Sequence, residues 1–328
     1  MAKIADVAQR AGVSAATVSR VFNGQRVNED MESRVRIAMT ELNYTPSRTA
    51  RSLRRQTSEI IALIIPDIEN PYFTELARGV EDVARGANYS VVLCNSDSNT
   101  EKETQYLNIA ISENMAGVIV APSSSRTVLD GLADAHIPVV AIDRPTSYPI
   151  DSVLVANKRA AQGATECLID AGYRRIACIT GPRGVKTASE RLDGWRDALD
   201  AHGLAAPASY LVRSTFRVDG GRTAMANLLD DPNPPDAVVA ANNLMGVGVL
   251  QVLTERRLFP PEVGVAVVGS LPFTTLSPTG ITFAHLPARK MGLVAAHMLM
   301  SRIAGDKQPP RTRLLPYRLE PAKSTPPE

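Results

Sequence analysis

Apolar residues in the first part of the chain recur every three or four positions. Ile4, Val7, Ala8 and Ala11 share one face, which predicts an amphipathic helix over 4–11. Gly12 supplies a turn, and Ser14 is a good N-cap for a second helix over 15–23, which Asn23-Gly24 ends. A third helix starts at Asn28 or Glu29, with Met31, Val35, Ala38, Met39 and Leu42 turned inward. Tyr44-Thr45-Pro46 breaks the pattern, and a short basic stretch, "SRTARSLRR", follows.

From Glu59 the pattern changes. Short apolar runs ("EIIALIIPD", "SVVLCNS", "AGVIVAP", "IPVVAID") alternate with helical segments, and after "DSVLVAN" the alternation restarts with "RRIACITG", "SYLVRS", "DAVVAAN" and "VAVVGS". Unbroken apolar runs suit strands covered on both faces, and their alternation with amphipathic helices predicts parallel sheets built from right-handed βαβ units. Two successive sets predict two similar lobes. A helix over about 287–305 and a strand "TRLLPYRL" come after both, so several crossings between the lobes are expected.

Charge divides the chain at the same place. Met1–Ser58 carries ten Lys or Arg against five Asp or Glu, a net +5, which leaves −3 for the remainder of a chain whose total is +2. A basic helical head on an acidic body points to a polyanionic partner for the head. The length of 328 residues exceeds what one hydrophobic core commonly supports. No apolar run is long enough to span a membrane, and the N-terminus has no secretory apolar segment, so a cytoplasmic protein without a membrane partner is expected. Cys94, Cys167 and Cys178 are widely spaced among apolar neighbours, which suits reduced, packed thiols, and no pair has metal-ligand spacing.

Enzyme signatures are absent from the sequence. No G-x-G-x-x-G follows a strand, no G-x-S-x-G elbow occurs, and "GPRGVKT" at 181–187 does not match the phosphate-loop spacing. No catalysis, cofactor or metal is therefore expected. The head is more specific. A helix, a glycine turn and a second capped helix make a helix-turn-helix, whose second helix enters the major groove. In it Ala15 and Ala16 suit thymine methyls, Ser14, Thr17 and Ser19 suit phosphates, and Arg20 suits guanine O6 and N7, with Asn23 at the end of the helix.

These residues carry a family resemblance. "IADVAQRAGVSAATVSRVFNG" with "AMTELNYTPSRTARSLR" resembles the DNA-binding head of the lactose-repressor/galactose-repressor family, and "ENPYFTELARGVEDVARGANYSVVLCNS", "VVAIDR", "GYRRIACITGP", "ERLDGWRDAL" and "AVVAANNLMGVGVLQVL" look like later landmarks of that family in order. The resemblance implies an all-α helix-turn-helix head over 1–58, with a hinge helix near 47–53. It implies a two-lobed α/β core over 59–328 with a periplasmic-binding-protein-like fold and parallel sheets. Lobe 1 is expected over about 59–155 and 287–308, and lobe 2 over about 156–286 and 309–328. Within the hinge, Arg48 and Arg51 are expected on phosphates, and Leu53 matches the leucine that wedges into the minor groove. Residues matching the effector cleft are Phe73, Ser123, Asp143, Arg191, Phe216 and Asn242. The two phenylalanines suit walls, Asp143 and Asn242 suit hydroxyls, and Arg191 suits a hydroxyl or a carboxylate. Trp195 is expected in the core beneath the cleft.

The chain departs from the family pattern in "VVGSLPFTTLSP", where Leu271 stands at the position of a sugar-clamping Asp, and in Asn242-Asn243, which replaces the common Asn-Asp. The expected effector is accordingly a sugar, a sugar acid or a related metabolite, with the hypothesis that it is either an acid held by Arg191 or a less hydroxylated metabolite. The implied function is a ligand-responsive transcription factor, a repressor of catabolic or transport genes, which binds pseudo-palindromic double-stranded operator DNA as a homodimer. A corepressor-dependent regulator or an activator is the alternative. A solute-binding receptor would show a signal peptide and no basic head, and an enzyme would show one of the motifs above.

Overall fold

A computed structural model describes residues 2–22, 25–44, 58–124, 127–271 and 280–323. They fall into two units, Met1–Ser58 and Glu59–Glu328. The first holds helices α1 (Ile4–Ala11), α2 (Ala15–Phe22) and α3 (Glu29–Glu41). Gly12 sits at φ 65°, a left-handed conformation that side chains resist, and its N–H closes α1 on the Ala8 carbonyl. The Ser14 Oγ accepts the Thr17 N–H at 3.1 Å and so caps α2. Val7, Ala8, Ala11, Val18, Val21, Val35 and Ala38 form the core of the head. Ile4 and Met31, expected inside, are instead 38% and 39% exposed. In so small a bundle, the first turn of each helix lies beyond the reach of the opposing helices.

The second unit is two-lobed. Lobe 1 is built from β1 (Ile60–Ile65), α4 (Pro71–Gly86), β2 (Ser90–Asn95), α5 (Thr100–Ser112), β3 (Gly117–Val120), α6 (Asp130–Asp134), β4 (Val139–Ile142) and β5 (Asp151–Val155). Lobe 2 follows with α7 (Asn157–Asp170), β6 (Ile176–Thr180), α8 (Lys186–Ala201), β7 (Leu211–Arg213), α9 (Val218–Leu229), β8 (Ala237–Ala240), α10 (Asn243–Arg256), β9 (Gly264–Val268) and β10 (Ile281–His285). The chain then returns through α11 (Ala288–Ile303) and β11 (Thr312–Leu315) to lobe 1 and ends with β12 (Arg318–Glu320) in lobe 2. The sheet orders, β11-β5-β4-β3-β1-β2 and β12-β10-β9-β8-β6-β7, repeat one another. Every pairing is parallel except β10 with β12.

Strand residues alternate between the two faces, as a buried sheet requires. Ile61, Leu63 and Ile65 pack under α4 and α11, while Ala62 and Ile64 pack on the other side with Leu107 and Leu132. Helix α11 lies so close to α4 that a Cβ on Gly79 would fall 2.3 Å from the Arg289 carbonyl oxygen, and one on Gly292 2.1 Å from that of Leu76.

The final apolar run differs from expectation. It was expected as a single strand within lobe 2, but 312–315 pairs with β5 in lobe 1 and only 318–320 joins lobe 2. Pro316, which has no N–H to donate, separates the two strands. The chain thus crosses between lobes three times, at Ala156, at Leu286-Pro287 and at Pro316-Tyr317.

The third crossing is held from lobe 1. Asp151, whose side chain is fully buried, accepts Arg302 Nε at 2.8 Å and Nη2 at 2.9 Å, and the Arg311 N–H at 2.8 Å. Burial pushes the Asp151 pKa up, but Arg302 and the Arg311 N–H together hold it below the usual carboxylate value.

Candidate functional site

Parallel strands send their C-terminal ends, and the N-termini of the following helices, to one edge of each sheet. The strand order reverses beside β1 in one lobe and beside β6 in the other. A cavity of about 640 Å³ lies there, walled by both lobes. That volume is in the range of small-molecule sites. The structure brings Phe73, Ser123, Asp143, Arg191, Phe216, Asn242 and Leu271 to its wall.

From lobe 1, Asn70 caps α4 by accepting the Tyr72 N–H at 3.0 Å, which sets Tyr72 and Phe73 in the first turn. Their rings meet edge to face, with centroids 5.0 Å apart. The Tyr72 hydroxyl donates to Asp143 Oδ1 at 3.2 Å, and burial together with the Asp143 charge raises the Tyr72 pKa well above its ordinary value. Asp143 itself sits at φ 62°, a conformation that Asp tolerates better than most side chains. Its Oδ2 lies 3.7 Å from Arg144 Nε, and Arg144 Nη1 donates to the Pro122 carbonyl at 3.2 Å. The Ser123 N–H donates to buried Glu103 at 2.7 Å, which fixes the loop after β3.

From lobe 2, Arg191 reaches in from α8. Its Nε donates to Asn157 Oδ1 at 2.9 Å and its Nη1 to the Ala241 carbonyl at 2.8 Å. Burial lowers the Arg191 pKa, and the Asp143 charge opposes that only in part. Phe216 lies against Gly181, where a Cβ would come within 2.2 Å of the ring. Asn242 caps α10, its Oδ1 accepting the N–H groups of Leu244 at 2.9 Å and Met245 at 3.2 Å. Its carbonyl is therefore committed to the helix, and only the amide NH2 is left for a hydroxyl. Leu271 packs against the lobe 2 core and gives the wall an apolar face. Trp195 is buried in lobe 2 among Ala160, Ala164 and Leu192 and does not line the cavity.

Asn70, Tyr72, Arg144, Thr187 and Arg217 also line the cavity, and residue-by-residue reading did not single them out; Asn243, noted there only as a departure from the family's Asn-Asp, lines it too. Two of them join the lobes. Asn243 Nδ2 donates to Asn70 Oδ1 at 2.9 Å, and Arg217 Nη1 to Glu69 Oε2 at 2.7 Å. The quoted stretches "ENPYF" and "VVAIDR" contain Asn70, Tyr72 and Arg144, so the signal lay beside the chosen residues.

In the head, Ser14, Ala15, Ala16 and Arg20 are exposed, and Thr17 and Ser19 are half-buried. The Ser14 and Thr17 hydroxyls are 2.9 Å apart and bonded to each other. Arg10, Arg34 and Arg36 are each paired with a carboxylate, at 2.7, 3.2 and 2.6 Å. Arg20 has no such partner among the described residues. Asn23, Arg48, Arg51, Leu53 and the expected hinge helix lie outside the described residues. Among the described residues, no helix is long and apolar enough to cross a membrane, and no cluster of His, Cys, Asp and Glu could hold a metal ion.

Comparison with known proteins places this architecture. Residues 58–323 match the family model described as periplasmic binding proteins and sugar binding domain of the LacI family, and residues 3–47 the model of bacterial regulatory proteins, lacI family. The chain is 35% identical to the ribose operon repressor of Escherichia coli K12, over 98% of this chain and 99% of that one. A structure of the transcriptional regulator CelR in complex with cellobiose is 29% identical, covers 98% of each chain and superposes with a TM-score of 0.73. The lac repressor dimer bound to operator, 24% identical over 97% of each chain, shares the fold with a TM-score of 0.87. With its helix-turn-helix head and two-lobed core, the chain belongs to the LacI family of bacterial regulatory proteins and is a transcriptional regulator, not an enzyme.

Proposed function

We propose that this protein is a ligand-responsive repressor. It binds a pseudo-palindromic operator as a homodimer through α2 and takes a small-molecule effector into the interlobe cavity. One observation carries the reading: a single chain joins a capped helix bearing Arg20, which has no carboxylate partner among the described residues, to a cavity walled by both lobes and bridged by Asn243 and Asn70. A ligand that touches both walls binds the closed arrangement better than the open one, and that differential affinity is what shifts a regulator between states. Two-fold operator symmetry matches a two-fold dimer. Strand β2, at the edge of the lobe 1 sheet, exposes Val92 and Leu93, which suits a partner on that side. The effector is a sugar, a sugar acid or a related metabolite, and the site of action is the cytoplasmic nucleoid.

Selection of bound genomic fragments with the purified protein at near-physiological salt tests the proposal. The expected result is a palindromic site beside catabolic or transport genes, released by a small metabolite of those genes. Sequence-blind binding that only follows ionic strength overturns it.

A further inference from the structure

Strand β9 ends at Val268, and two residues later Ser270 stands exposed on the cavity wall. Ser270 Oγ lies 2.8 Å from His285 Nδ1, and His285 Nε2 lies 3.1 Å from Glu320 Oε2. Glu320 also accepts Arg318 Nη1 at 2.9 Å. His285 is the last residue of β10. Phe283, buried two positions earlier on the same face of the strand, stacks on its ring with centroids 5.5 Å apart and planes inclined by 27°. A chain of hydrogen bonds thus starts at the cavity wall, passes through a ring held in place by Phe283, and ends on β12.

The direction of each bond follows from the chemistry of the far end. Arg318 and His285 hold the Glu320 carboxyl below its usual pKa, so at neutral pH it is ionised and only accepts. His285 Nε2 therefore carries a proton. Burial and the Arg318 charge lower the His285 pKa, and Glu320 offsets them only in part, so the ring is neutral and holds that one proton. Nδ1 is left as a lone pair. The Ser270 hydroxyl donates to it, and the Ser270 oxygen turns only lone pairs to the cavity.

A serine hydroxyl with no fixed partner rotates to give or to take a proton, whereas the Ser270 proton is committed. The side chains beside it do not duplicate its role. Leu271 has no polar atom, and Asn242 Oδ1 already accepts two N–H groups of α10. An acceptor pressed against a committed acceptor leaves both unsatisfied, which costs more than a missing contact, so a site built this way rejects the wrong group strongly.

We infer that Ser270 is a specificity-determining contact of the cavity, oriented by His285 and Glu320 as positioning residues, and that the effector places a hydroxyl or N–H donor against it, not a carboxylate or carbonyl oxygen. The inference rests on the reading of the cavity as the effector site.

Calorimetry on the full chain tests it, with neutral pentoses and hexoses each beside its monodeoxyfluoro analogues, in which fluorine accepts weakly and cannot donate. At one ring position the hydroxyl compound is expected to bind about tenfold tighter than the fluoro compound. Ser270→Ala and His285→Ala are expected to bring the two within about twofold. His285→Gln, whose amide donates to Glu320 and accepts from Ser270 as the imidazole does, is expected to restore the difference. Nitrogen NMR of the imidazoles, with His285 assigned by its loss in His285→Gln, is expected to show Nδ1 unprotonated at neutral pH and shifted by Ser270→Ala. Ser270 is exposed, so its variant decides the matter even where His285→Ala loses stability in thermal unfolding. A His285 ring protonated at Nδ1 overturns the inference. So does binding in which hydroxyl and fluoro compounds are equal at every position, or a difference that Ser270→Ala leaves unchanged. These outcomes leave the effector-site reading standing. If no sugar of the panel binds, or binding is insensitive to Phe216→Ala, the effector-site reading fails and the inference with it.

Discussion

Replacing Arg302 with Met removes the guanidinium that holds Asp151 and leaves the carboxylate fully buried. Breaking a buried ion pair by removing one partner costs about 3–5 kcal/mol. The Arg311 N–H, at 2.8 Å, still bonds Asp151 and places the expected loss near the lower end, about 3 kcal/mol. At roughly 2–4 °C per kcal/mol for a domain of this class, Tm falls by about 6–12 °C. The pH dependence gives the stricter test. In the native chain the folded Asp151 pKa lies below its unfolded value, so its contribution is complete above about pH 4–5 and is lost as pH falls through the folded pKa. In Arg302→Met burial is no longer opposed by the guanidinium, and the folded pKa rises above the unfolded one. The penalty is then full at neutral pH and relieved as the buried carboxyl takes up a proton. Differential scanning calorimetry at pH 7 and pH 5 should show the gap between the two proteins narrowing in acid. Adding Asp151→Asn to Arg302→Met should recover most of the loss at pH 7. A gap that stays constant with pH, or a double variant no better than the single, refutes the assignment of the cost to an uncompensated buried charge.

Arg20→Ala should weaken binding to the selected operator by about 1–3 kcal/mol and relax base preference at one position, with Tm unchanged because the guanidinium has no carboxylate partner among the described residues. Footprinting and unfolding measured together check both halves. Gly79→Ala should destabilise the core by about 1–3 kcal/mol, since its Cβ would press on the Arg289 carbonyl, and chemical denaturation reads this directly. Arg217→Ala should weaken effector binding by less than about fivefold, because its side chain is 52% exposed and such pairs contribute about 0.2–1 kcal/mol each. That small effect should shrink further in high salt, and a hundredfold loss would show that Arg217 touches the ligand.

Most strands of both lobes were legible because each is an apolar run bounded by helix signals, and such runs have few alternatives to burial on both faces, but β10 (Ile281–His285) was not among the runs read as strands. The division of "TRLLPYRL" between two sheets was less so. Pro316 marks the break, but a sheet partner thirty or more residues upstream leaves no local trace. In the cavity the sequence reading chose one of each adjacent pair: Phe73 but not Tyr72, and Asp143 but not Arg144. In the loops where strands give way to helices no periodicity sends neighbours to opposite faces, so both members can line the wall. Asn242 shows the converse limit. An Asn ahead of an apolar helix is also the signal for an N-cap, and half of its side chain performs that task.

The three crossings between the lobes contain one, two and two residues. Tethers this short, side by side, fix the separation of the two bodies and forbid sliding. What they leave free is angle. A molecule held in the cavity therefore has its presence recorded as a rotation of one lobe against the other, and the quantity transmitted onward is a change of orientation and not of distance.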